Sequence, residues 1–128
     1  MSDLSQRIKQ SESILRSIIN SALDAVIVID ECGIITEWNH QAEQTFGWDR
    51  TWALGKKLSE TIIPKEYREH HERGMKHFLK TGEGPVLNKR IEITALNCNG
   101  RTFPVELTII PNKVDGVFFF SSFVRDLT

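Results

Sequence analysis

Cysteine is scarce. Cys32 and Cys98 are the only two in 128 residues, and they form no metal-spaced pair. That excludes a disulfide-built scaffold and a thiolate metal cluster, and makes a cytosolic setting with free thiols the expectation. Neither charge is in surplus: 16 Lys and Arg stand against 17 Asp and Glu, for a net charge of −1. Nucleic acid and anionic membrane are therefore not expected partners, because no basic excess is available to neutralise phosphates. No apolar run approaches the ~20 residues needed to cross a bilayer, so no membrane contact is expected of this segment. The opening MSDLSQRIKQ is polar and lacks the apolar heart of a signal peptide. There is no G-x-S-x-G elbow, no glycine-rich phosphate loop and no paired-carboxylate signature. The chain is not expected to be an enzyme.

What is present suits one domain with a real core: 40% hydrophobic and 26% charged residues. Leu4, Ile8, Ser11, Leu15, Ile18 and Ala22 step by alternating fours and threes, a heptad seam that Ile14 and Ile19 widen. This predicts an amphipathic helix over residues 1–22, lying either on its own domain or against a second copy. AVIVID (25–30) and IITEWN (34–39) read as a hairpin with Gly33 in the turn. The unbroken apolar run from Ala25 to Ile29 predicts a central strand. Asn39 is placed to cap a short helix ended by Gly47, and Asp49 to cap a further turn ended by Gly55. A longer helix over about 65–81 follows Pro64 and is stopped by TGEGP. Strands at 87–96, 101–110 and 116–127 complete an α+β domain with a five-stranded antiparallel sheet. The closing FVRDLT follows an apolar stretch directly, and reads as the cut end of a piece from a longer polypeptide.

Three of the four histidines crowd into YREHHERGMKHF, residues 67–78. At about 100° per residue, Tyr67, His71, Gly74, Met75 and Phe78 share the apolar face of the longer helix, with His70 and His77 on the charged side. His71 is the inward ring, and Gly74 leaves room beside it. His70 and His77 sit about 10 Å apart along the axis, too far to share a metal. A helical zinc pair wants i, i+4 histidines, and HERGM offers Met75 where the second should be. No protein-only metal site is expected.

AVIVIDECGIITEWNHQAEQTFGW, then Gly55, then TGEGPVLNKRIEITALNCNGRTFPVELTI and FVRDLT, resemble a PAS domain over about residues 14–128. Asn39, Ala42, Phe46, Gly47, Gly55 and the Asn99-Gly100 turn match the family pattern. Trp52 or Ala53 departs from it, standing where an acidic residue is common. The resemblance implies strand order 2-1-5-4-3, helices on one face, and a division into an N-terminal helix (1–22) and a PAS domain (23–128). It also implies a sensory and dimerising module of a larger signalling protein, ahead of a histidine kinase, diguanylate cyclase or phosphodiesterase effector. Many such domains pair through the N-terminal helix, here Leu4, Ile8, Leu15 and Ile18. The amphipathic helix would cover the second sheet face, from its own subunit or a partner's.

Alternation places Ile91, Ile93, Val105, Leu107, Ile109, Phe118, Phe120, Ser122 and Val124 on the inner sheet face. With His71, Met75 and Phe78 opposite, the candidate pocket is apolar, with one imidazole and one hydroxyl. Such a cleft suits haem. The haem-binding PAS domain of rhizobial oxygen-sensing kinases is similar in carrying its proximal histidine seven residues after a proline, as His71 follows Pro64. Leu107 and Ile109 match apolar distal residues. Ile91 stands where that family has an arginine, which counts against oxygen gating of that kind. Flavin photochemistry is not expected, since GKKLSET after Gly55 offers no thiol. The other readings are a small organic ligand, or a pocket that Phe118 and Phe120 close, making this a ligand-free interaction domain. His71 would then hydrogen-bond locally.

Overall fold

The computed structural model describes residues 2–84 and 86–128. The part of the helix stop assigned to Pro85 lies outside the described residues. Strand order follows from burial. β1 (Ala25–Asp30) is flanked on one side by β2 (Ile35–Trp38) and on the other by β5 (Val117–Asp126). β4 (Thr102–Val114) and β3 (Arg90–Leu96) extend the sheet, giving the antiparallel order β2-β1-β5-β4-β3. Ala25, Val26, Ile27 and Ile29 are buried, as an apolar run between two neighbours requires. β4 runs four residues further than the sequence suggests. Pro111 stays in the ladder opposite Phe120, and Asp115 and Gly116 turn the chain with positive φ of 51° and 82°.

The registers Ile27↔Ser122, Ile29↔Phe120, Ile109↔Ser122 and Ile91↔Leu107 place one set of side chains on a common face. Against it pack α2 (His40–Phe46), α3 (Arg50–Ala53) and α4 (Arg68–Thr81). Two 3₁₀ turns, Leu58–Glu60 and Lys65–Tyr67, lead into α4. The core is aromatic at its centre: Trp38 and Phe46 lie 5.6 Å apart, and Phe46 and Phe103 lie 5.7 Å apart, centroid to centroid. Gly47 ends α2 at φ +89°, where a Cβ would collide with Cys98 Sγ.

One local expectation changes, and one of two open readings is excluded. Asp49 stands before α3 but makes no side-chain cap; Glu43 Oε2 accepts from Arg50 N instead, at 2.7 Å. α1 (Ser2–Ser21) does not lie on its own domain's core. Its Leu4, Ile8, Ile14, Leu15 and Ile18 are all more than half exposed. It meets the body at its C-terminal end, where Ile19 O accepts from Asn39 Nδ2 and Asn20 Oδ1 from His40 N.

Asn39 is the polar centre of that junction. Its Oδ1 accepts from Val26 N (2.8 Å) and Ala42 N (2.9 Å), and its Nδ2 donates to Ile19 O (2.9 Å) and Asp24 O (3.1 Å). The residue is 1% exposed. Asn39→Ala leaves these groups without a partner, at about 1–3 kcal/mol for each one that water cannot reach. The expected loss in a urea titration is about 3 kcal/mol or more. A loss below about 1 kcal/mol would show that the network is dispensable.

Candidate functional site

Helix α4 is held from both sides. Ser59 Oγ donates to Glu72 Oε1 at 3.0 Å, and Arg68 Nε donates to Ile63 O at 3.1 Å. Phe78 is buried against Phe118 and Phe120, at centroid distances of 5.0 and 5.4 Å in edge-on contacts. These rings fill the space between that turn of α4 and the sheet. Leu107 and Phe120 are buried there too, while Ile91, Ile93 and Ile109 pack against the core with part of each side chain exposed. Ser122 is half-buried between Ile27 and Ile109. Phe78, Ile91, Ile93, Leu107, Ile109, Phe120 and Ser122 therefore share an inner face that their own side chains largely occupy.

His71 and Met75 belong to a different space. They line a cleft of about 200 Å³ with Glu31, Cys32 and Gly33 of the β1–β2 turn, Lys57 and Ser59, and Glu72, Lys76 and Leu79 of α4. The cleft exists because the turn and the 57–59 segment are tied together. Ile34 pairs with Lys57, and Leu58 N donates to Gly33 O at 2.9 Å. Gly33 adopts φ +78°, and a Cβ there would touch Met75 Sδ at 3.6 Å, so the turn lies against the helix. Glu31 Oε1 accepts from Phe118 N at 2.8 Å, joining the same turn to β5.

The residues missed from sequence are those of the turn and the 57–59 segment. Nothing in their local pattern signals that α4 closes over them. The helical wheel places His71, Met75 and Phe78 correctly, but not their neighbours. Tyr67 is half exposed, and Gly74 faces open space with nothing within 4 Å of its Cβ position. His71 also lacks the local bond expected of a packed core histidine, because its Nδ1 is buried with no hydrogen-bond partner. Burial pushes its pKa below the ordinary 6.5; Glu72 raises it in part, and His70 lowers it further.

A haem macrocycle does not fit this arrangement. The cleft at His71 is about 200 Å³, below the roughly 300–1,000 Å³ of pockets for drug-sized ligands. The Phe78, Phe118 and Phe120 rings occupy the alternative space.

The sequence profile of the PAS fold matches residues 13–118. The chain belongs to the PAS family. It is 42% identical over 118 residues to an uncharacterised protein of Azorhizobium caulinodans, a match covering 92% of this chain and 16% of that one. It is 33% identical over 121 residues to the sensor protein FixL of Bradyrhizobium diazoefficiens, covering 94% of this chain and 24% of that one. The chain thus spans under a quarter of the length of these relatives. Among solved structures, the PAS domain of an HTR-like protein from Haloarcula marismortui superposes with a TM-score of 0.71 at 21% identity, covering 99% of this chain and 100% of that one.

The partly buried imidazole of His71 makes stability depend on pH. Its folded pKa lies below its unfolded value of 6.5, so the unfolded chain takes up the proton first. Stability is present above pH 6.5 and falls as the pH drops towards the folded pKa. One proton sets a limit of about 1.4 kcal/mol per pH unit. His71→Gln should flatten the difference in urea stability between pH 7.5 and 5.5. An unchanged slope would show that the charged ring is accommodated without cost.

Proposed function

We propose that this PAS domain is a sensory and dimerising module of a multidomain signalling protein, pairing with a second copy through α1. The observation that carries this reading is a pair of uncovered apolar surfaces on one chain. α1 presents Leu4, Ile8, Leu15 and Ile18 at 51–62% exposure. The sheet face opposite the helices presents Val114, Val117 and Phe123, themselves 39–57% exposed. A heptad seam of this length is not stable alone in water and needs a partner surface. A second copy supplies both a matching helix and a sheet face of the same chemistry, which is the self-complementarity that two-fold pairing requires. The chain occupies a small part of each relative's length, and one of these is a sensor protein. That supports an effector on the same polypeptide, of the histidine kinase, diguanylate cyclase or phosphodiesterase type, in the cytoplasm.

In this reading the module passes a change in α1 pairing or sheet packing to the segment after Asp126. The input is a small ligand or a neighbouring domain's movement. A ligand acts only through a difference in affinity between two states. The small cleft and the ring-filled inner face favour a compact ligand, or direct mechanical relay, over a large cofactor.

The test is the mass in solution. The double variant Ile8→Glu, Leu15→Glu should move the protein from twice the mass of one chain to the mass of one in sedimentation equilibrium, with its sheet circular dichroism unchanged. A variant that keeps the dimeric mass would remove the α1 interface.

A further inference from the structure

The HERGM stretch carries a second reading that the pairing function does not use. His71 and Met75 are i, i+4 neighbours on one face of α4, and both line the cleft with Cys32. We propose that Cys32, His71 and Met75 form a binding site for one soft monovalent metal ion, with Cu(I) as the ligand class. The site is separate from the α1 surface and does not depend on pairing.

The i, i+4 spacing that gives a helical metal pair is intact, but a thioether replaces the second imidazole. That exchange costs a zinc site its ligand and favours Cu(I), because thiolate and thioether sulfur select soft ions. Met75 Sδ lies against the turn at Gly33, the residue next to Cys32. Cys32 and Met75 thus line one cleft of about 200 Å³, one from the turn and the other from α4. The turn is pinned, since Asp30 Oδ1 accepts from Cys32 N at 2.9 Å and from Ile34 N at 3.0 Å. Cys32 is free and exposed, which lets the ion arrive by exchange from a soluble carrier. His71 Nδ1 has no hydrogen bond to give up. The Glu31 and Glu72 carboxylates line the cleft alongside Lys57 and Lys76, so the lysines' positive charge is compensated. Among the described residues no three His, Cys, Asp or Glu side chains group to hold a metal; the proposed set takes its third donor from Met75. On binding, the Cys32 thiol releases its proton to solvent and the thiolate–copper bond forms in its place, with no electron transferred.

The experiment is an anaerobic titration of the whole chain with Cu(I), in competition with a coloured Cu(I) chelator. X-ray absorption then identifies the ligand atoms. One equivalent should bind, with two sulfur ligands and one nitrogen. Cys32→Ser, His71→Ala and Met75→Leu should each weaken binding at least tenfold, whereas Cys98→Ser should leave it unchanged. Because His71 and Met75 are partly buried, circular dichroism of each variant checks folding, and the exposed Cys32→Ser carries the test if either fails. Absence of stoichiometric binding would overturn the proposal. So would an affinity lost in Cys98→Ser, a sulfur-only spectrum, or zinc binding as tightly as Cu(I).

Discussion

Four hydrogen bonds on one side chain hold this domain in register. Asn39 follows β2, and it accepts from the first turn of α2 and from β1 while donating to the end of α1 and to Asp24. An asparagine amide has two donors and an acceptor oxygen with two lone pairs, so the residue is fully used at a site that excludes water. Aspartate could not donate, and serine could not reach all four partners. The geometry fixes the hairpin against the helical layer, and so fixes the angle at which α1 leaves the domain. The exposed α1 stripe depends on that departure angle, because the helix diverges from the core it could otherwise have covered.

The second constraint is how α4 is filled in beneath. Phe78 meets Phe118 and Phe120 edge-on, an arrangement aromatic rings prefer to face-to-face stacking. With the middle of α4 seated on aromatic rings, a cleft is left where the helix passes the β1–β2 turn. That is why the cleft gathers mostly polar and charged side chains from three segments, with Met75 and Leu79 among them, while Phe78, Leu107 and Phe120 serve as core. Core packing and the cleft are divided along one helix.

Much of this was legible in the sequence, and the reasons for the rest are specific. The apolar run 25–29 gave a central strand because only a doubly covered strand tolerates no alternation. Asn39, Gly47 and the Asp115-Gly116 turn were legible because each satisfies a local backbone demand. The inward face of α4 followed from helical periodicity for His71, Met75 and Phe78. Tyr67 escaped that rule because it lies in the 3₁₀ turn, where the angular step is not that of an α-helix. Whether α1 covers its own sheet was not legible, since an amphipathic stripe says that a helix wants a partner and not which one. The cleft was hidden for a related reason: Cys32, Lys57 and His71 come together only through tertiary closure of the turn on α4.

The position of the cleft also bears on how an occupant could be felt elsewhere. Glu31 lines it and at the same time accepts from Phe118 N at the start of β5. β5 pairs with both β1 and β4 along its length and ends at Asp126, where the chain leaves the sheet. A group that drew the Glu31 carboxylate into the cleft would compete with the Phe118 N–H for the same oxygen. It would also leave that N–H seeking water at the end of the central strand. Leaving that N–H without its carboxylate costs about 1–3 kcal/mol where water cannot reach it. That is enough to shift a two-state equilibrium by one to two powers of ten, the usual range of coupling between sites. The opposite surface of the same sheet is uncovered, with Val114, Val117 and Phe123 exposed on it. A displacement of β5 therefore reaches both the exit of the chain and the face where a second copy would pack.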